Sequence, residues 1–99
     1  MMNGYDFLFE MLELLGKKYV APLLILLLIN EEITFSKLKR DLKLTSRSLS
    51  KKLKLLEAGG FVEKIIIRSS KKAVYTLSEK GKGISKMMLD VAPKFKTAN

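Results

Sequence analysis

Residues 20–29 form the longest apolar run in the chain, ten residues interrupted by nothing more polar than Pro22. A membrane-spanning helix needs about 20 such residues, so a run half that length belongs in a protein core. Pro22 fits the first turn of a helix, where its missing N–H has no partner to lose. A helix that is apolar nearly all round must be covered nearly all round. The rest of the chain is therefore read by what each segment can lay against this one. At 99 residues there is room for a single core, expected to make one domain over residues 1–99.

The flanking segments carry clear periodicities. Over 5–15, Leu8, Met11, Leu12 and Leu15 recur at helical spacing, Phe7 and Leu14 widen the stripe, and Asp6, Glu10 and Glu13 lie opposite. Beyond the central helix, Phe35 and Ser36 read as a hydrophobic staple and N-cap for a short helix over 37–42 that buries Leu38 and Leu42. Lys43 and Leu44 allow only a turn. Thr45 then caps a further helix through the Ser48 N–H, with Leu49, Leu53 and Leu56 stacked along one side. Gly59 and Gly60 stop it. The β-branched and aromatic runs 61–67 and 73–77 form a hairpin around the polar tip Arg68, Ser69, Ser70, Lys71 and Lys72. Ser78 caps a last helix carrying Ile84, Met87, Met88 and Val91, expected to stop before Pro93. The fold class is mainly α with a β-hairpin, in the order α-α-α-α-β-β-α.

Composition removes most enzyme chemistry. There is no Cys and no His, so thiolate nucleophiles, disulfides, the usual general base and the commonest metal ligands are all missing. Ser46, Ser48 and Ser50 have no base beside them, Glu31 and Glu32 read as a solvated helix end, and Gly81 and Gly83 lack the rest of a phosphate-binding fingerprint. No catalytic residue, metal or cofactor is expected. Acidic Asp6, Glu10 and Glu13 replace the basic start of a secretory signal, and the expected location is cytoplasmic.

The net charge is +9, and it is concentrated. Residues 1–33 sum to −3, residues 34–72 to +9 and residues 73–99 to +3. A cationic centre of that strength points to a polyanion, with double-stranded DNA the first candidate. Two short helices joined by a tight turn, the second capped and basic, make a helix-turn-helix signal over 34–58. At about 100° per residue, Leu53 and Leu56 fall within about 40° of Leu49, and Arg47, Lys51 and Lys54 fall opposite. Ser46, Arg47, Ser50 and Lys51 are the expected base-reading residues. Lys37, Lys39, Lys43, Ser48 and Lys54 are expected on the DNA backbone. The tip residues Arg68, Ser69, Ser70, Lys71 and Lys72 would reach a minor groove or phosphates.

These residues carry a family resemblance over 14–88. The stretch Leu14-Leu15-Gly16-Lys17-Lys18-Tyr19, Phe35-Ser36-Lys37-Leu38, the run from Leu49 through Leu56-Glu57 to Gly60-Phe61-Val62, and Tyr75-Thr76-Leu77-Ser78-Glu79-Lys80-Gly81 together resemble the winged helix-turn-helix regulators of the HxlR type, within the MarR-like group. Tyr19 stands where that family usually has Trp, and Lys37 where it has Glu. The resemblance implies a wing over 61–77 and a homodimer built by helices 5–15 and 79–92, presenting two reading helices to a pseudo-palindrome. Leu8, Phe9, Leu12, Ile84, Met87 and Met88 are apolar material for that interface. Some relatives sense oxidants through an N-terminal cysteine, a device this cysteine-free chain lacks. The resulting expectation is a sequence-specific regulator, most simply a repressor. Its rivals are a nonspecific architectural DNA binder and a winged-helix protein–protein module.

Overall fold

The computed structural model describes residues 4–97; residues 1–3 and 98–99 of the expected 1–99 domain lie outside them. Five helices and three strands follow in the order α1 (Gly4–Leu15), α2 (Val20–Asn30), β1 (Ile33–Thr34), α3 (Phe35–Leu42), α4 (Ser46–Ala58), β2 (Val62–Ile67), β3 (Lys72–Leu77) and α5 (Glu79–Thr97). α2 is the centre. Val20, Leu23, Leu24 and Leu27 are fully buried, and the helix packs against α1, α3, α5 and β3. Its apolar girth exceeds what the fold covers, since Pro22 and Ile29 face outward. The core continues through Leu38 of α3, the Leu49, Leu53 and Leu56 ridge of α4, and Phe61, Val62, Tyr75 and Leu77 of the hairpin.

The sheet has three strands in the order β1-β3-β2, all antiparallel. β1 corrects the expected element order, which contained only the hairpin. Ile33 pairs with Tyr75 and Thr34 with Val74, so this two-residue segment is a strand only because β3 returns beside it. Burial pushes the Tyr75 phenol above its ordinary pKa, and the nearby Glu57 carboxylate adds to the shift.

That strand also moves a cap. Thr34 leaves β1 in an extended conformation, and its Oγ1 accepts the Lys37 N–H at 3.2 Å. α3 therefore starts at Phe35, and Ser36, the expected N-cap, lies inside its first turn. The positions before the cap and one turn after it are now Ile33 and Leu38, both buried in the core, so they form the staple in place of Phe35.

Local signals at the other ends behave as the sequence implies. At the end of α4 the Gly60 N–H bonds the Glu57 carbonyl at 3.0 Å and the Phe61 N–H bonds the Leu56 carbonyl at 2.9 Å. This wrap needs a left-handed residue, and Gly60 supplies it at φ 79°. Ser78 caps α5 by accepting the Gly81 N–H at 3.0 Å. Gly81 is buried where α5 crosses the backbone of Phe61, and a β-carbon there would run into the Phe61 carbonyl oxygen.

The end of α5 is a second correction. The helix passes through Pro93 and reaches Thr97 instead of stopping at 92. Proline removes one donor, the bond to the Leu89 carbonyl, and that loss is tolerable on this exposed stretch, where water can replace it.

Candidate nucleic-acid interface

α3 and α4 meet through the three residues Lys43, Leu44 and Thr45. Lys43 takes the left-handed conformation at φ 55°, and its N–H and that of Leu44 close onto the Arg40 and Lys39 carbonyls at 3.3 and 3.1 Å. Glycine is the usual residue in such a wrap, so a lysine here accepts backbone strain of about 1–2 kcal/mol. Thr45 then starts α4, its Oγ1 accepting the Ser48 N–H at 3.1 Å, the cap expected from the sequence. Turn and cap together fix where the first residues of α4 point.

They point outward because the opposite side is saturated. Leu49, Leu53 and Leu56 are at most 1% exposed, wedged against the core. Ser46, Arg47, Lys51 and Lys54 are exposed on the far face, with Ser50 half-buried beside them. The helix is about 20 Å long, and its first two turns hold all four expected base-reading residues. Glu57, its single acid, lies close enough to Tyr75 to act on its phenol.

Charge compensation is sparse. Lys37 donates to the Asp41 carboxylate at 2.8 Å, and Arg40 stands 4.0 Å from the same group. Lys37 is thus the one expected backbone contact whose charge is already partnered. Lys39 and Lys43 are exposed, and among the described residues neither they nor Arg47, Lys51 and Lys54 enter an ion pair. The Ser48 hydroxyl accepts a bond from Lys52 Nζ at 2.9 Å on one flank of α4, not on its outer face.

The hairpin tip carries Arg68, Ser69, Ser70, Lys71 and Lys72, all exposed. Lys71 turns the chain at φ 56° and its N–H closes onto the Ile67 carbonyl at 2.7 Å. The edge strand behind the tip leaves Ile65, Ile66 and Ile67 largely in the open, a feature that a β-branched run does not reveal by itself.

The six residues expected at a dimer interface divide. Leu8, Phe9, Leu12 and Met87 are exposed, whereas Ile84 and Met88 are half-buried against the core. Tyr5, Phe7, Leu89 and Val91 extend the exposed apolar set, with the Tyr5 and Phe9 rings stacked at 6.4 Å. Periodicity placed Phe7 on a stripe but could not say that the stripe would stay uncovered. No described helix is long and apolar enough to cross a membrane.

The model of the HxlR-like helix-turn-helix family matches residues 14–97. The reduced form of the transcriptional regulator YodB from B. subtilis superposes with a TM-score of 0.77 at 25% identity, over 94% of this chain and 90% of that one. A possible HxlR family transcriptional factor from Thermoplasma volcanium gives 0.74 at 26% identity, over 88% and 79%. Streptococcus pneumoniae FabT in complex with DNA gives 0.76 over 92% and 68%, but at 16% identity it shares the fold alone. No curated protein matches the sequence. A family match across nearly the whole chain, on the fold of these regulators, makes the protein a member of the HxlR-like helix-turn-helix family of transcriptional regulators.

Proposed function

We propose that the chain acts as a homodimer that reads a specific duplex sequence and represses by occupying it. One observation carries this reading: the cationic, hydroxyl-bearing face of α4 is open to solvent because its leucine ridge is fully buried within the same chain. In the major groove, Ser46, Arg47, Ser50 and Lys51 would meet base edges. Lys39, Lys43 and Lys54 would hold phosphates, and Lys37 would join them by exchanging Asp41 for the backbone. Ser48 would contribute from the flank. The wing tip would follow the adjacent minor groove or backbone.

The dimer rests on the exposed apolar residues of α1 and the middle of α5, which water covers at a cost unless a second copy does. Two-fold symmetry would then place the reading helices about one helical turn of DNA apart, roughly 34–36 Å, or a multiple of it. FabT, which shares this fold, has been seen bound to DNA.

Selection from random duplexes followed by footprinting tests the reading. A preferred, pseudo-palindromic site supports it, and equal affinity for all duplexes leaves only an architectural binder. On the selected site, Arg47→Ala is expected to cost about 1–3 kcal/mol and to relax preference at one or two positions. Lys54→Ala should instead weaken selected and random duplexes alike and lower the salt slope by about 1 per bound protomer. Loss of equal size on both duplexes for Arg47→Ala removes its base-reading role.

A further inference from the structure

We propose that Lys18 and Lys52, gathered on the ring of Tyr19, form a clamp for one DNA backbone phosphate on a flank of α4. The clamp rests on the DNA-binding reading above, and adds to it a contact from the α1–α2 connection, outside the helix-turn-helix and the wing.

Two ammonium groups from distant parts of the chain converge here. Lys18 Nζ stands 5.3 Å and Lys52 Nζ 5.8 Å from the centroid of the same ring. Both lie within the reach of about 6 Å at which an aromatic face attracts a cation. Tyr19 is presented for this by a left-handed backbone at φ 68°, on a residue that precedes α2 without capping it through its side chain. Among the described residues, neither lysine has a carboxylate partner. Like charges repel, and the ring offsets only part of that. An anion between them would offset the rest.

The neighbouring groups fit a phosphate. Lys52 Nζ donates to Ser48 Oγ at 2.9 Å, which leaves the Ser48 hydroxyl hydrogen to donate outward. On the helical wheel Ser48 and Lys52 lie about 60–100° from Leu49, on the side away from Ser50 and Glu57. They therefore sit between the buried ridge and the face proposed to read bases. A helix laid in a major groove has a phosphate strand along such a flank. The α1–α2 connection follows that flank, because Lys17 and Leu55 line one shallow cavity. Glu10 and Glu13 line the same cavity, so Lys17 faces acids and is left out of the clamp. Holding both ammoniums on one ring fixes long side chains before DNA arrives, which lowers the ordering cost of the contact.

The test is the salt dependence of binding to a random-sequence duplex about three helical turns long. Lys18→Gln/Lys52→Gln should lower the slope of log affinity against log salt by about 0.9 per bound protomer, the share of one phosphate, and Lys18→Gln or Lys52→Gln alone should lower it by part of that and weaken binding at fixed salt. Tyr19→Phe should keep the parent slope, and Tyr19→Leu should lose part of it. Lys82→Gln/Lys86→Gln is the charge-matched control. Those lysines line a cavity at the C-terminal end of α2, the end opposite Tyr19, and their loss should leave the slope alone. Lys18 lies outside any helix or strand, so its variant carries the test even where substitution in α4 disturbs folding. A parent-like slope for Lys18→Gln/Lys52→Gln overturns the clamp while DNA binding stands. So does an equal fall in the charge-matched control. A parent chain that binds no duplex at low salt overturns the DNA reading itself, and the clamp with it.

Discussion

α1 and α4 begin as the same kind of sequence and end in different situations. Each carries apolar residues at helical spacing on one side and charges on the other. In α4 the apolar side vanishes into the core, with Leu49, Leu53 and Leu56 at most 1% exposed. In α1 it largely remains in water, with Phe7 63%, Phe9 61% and Leu12 52% exposed. α4 is closed in by α3 and β2, whereas α1 packs on α2, lays Leu14 and Leu15 against the core and keeps a second apolar face free. The difference shows that amphipathicity does not name a helix's partner. What α4 has left over is cationic and asks for a polyanion. What α1 has left over is apolar and asks for another hydrophobic surface.

The sharpest way to break this contrast is to truncate one leucine on each helix. Leu53→Ala leaves a hole in a closed core and should destabilise the monomer by about 2–5 kcal/mol in denaturant unfolding. Leu12→Ala removes a side chain that the monomer hardly uses and should change its stability by no more than about 0.5 kcal/mol. Comparable losses for the two would mean that α1 is as integral to the fold as α4.

Association sharpens the other half. If the free face of α1 meets a second copy, Phe9→Ala should weaken self-association by about 2 kcal/mol, read by sedimentation equilibrium at several concentrations. An unchanged monomer–dimer balance moves the interface elsewhere. A smaller effect than at Leu53 or Phe9 is expected at the start of α4. Thr45→Ala removes the side-chain acceptor of the Ser48 N–H and should cost about 1 kcal/mol of stability.

The helix-turn-helix was largely legible because its signals are local. A threonine three residues before its N–H partner, leucines three and four apart, and a glycine that can take a positive φ each act within one or two turns of chain. β1 was not legible. Two residues cannot show alternation, and their partners Val74 and Tyr75 lie some forty positions away in the chain. The misplaced cap at Ser36 follows from the same cause, since Thr34 is free to cap only because β1 ends there. Pro93 misled in the opposite direction: a local rule applied where an exposed helix could absorb the exception. Lys18 and Lys52 sit thirty-four positions apart, and nothing in either neighbourhood announces that one aromatic ring will collect both.

By itself, the sequence determined where helices begin and end at most of their termini, which leucines turn inward on α4, and that the middle of the chain is strongly cationic. Those are properties of spacing, capping and composition, decided within a few residues or by simple addition. Only the tertiary structure decided which apolar stripes would be covered. Coverage depends on how many surfaces compete for a core that a chain of this length can fill once, and α2 with its neighbours fills it before α1 is used up.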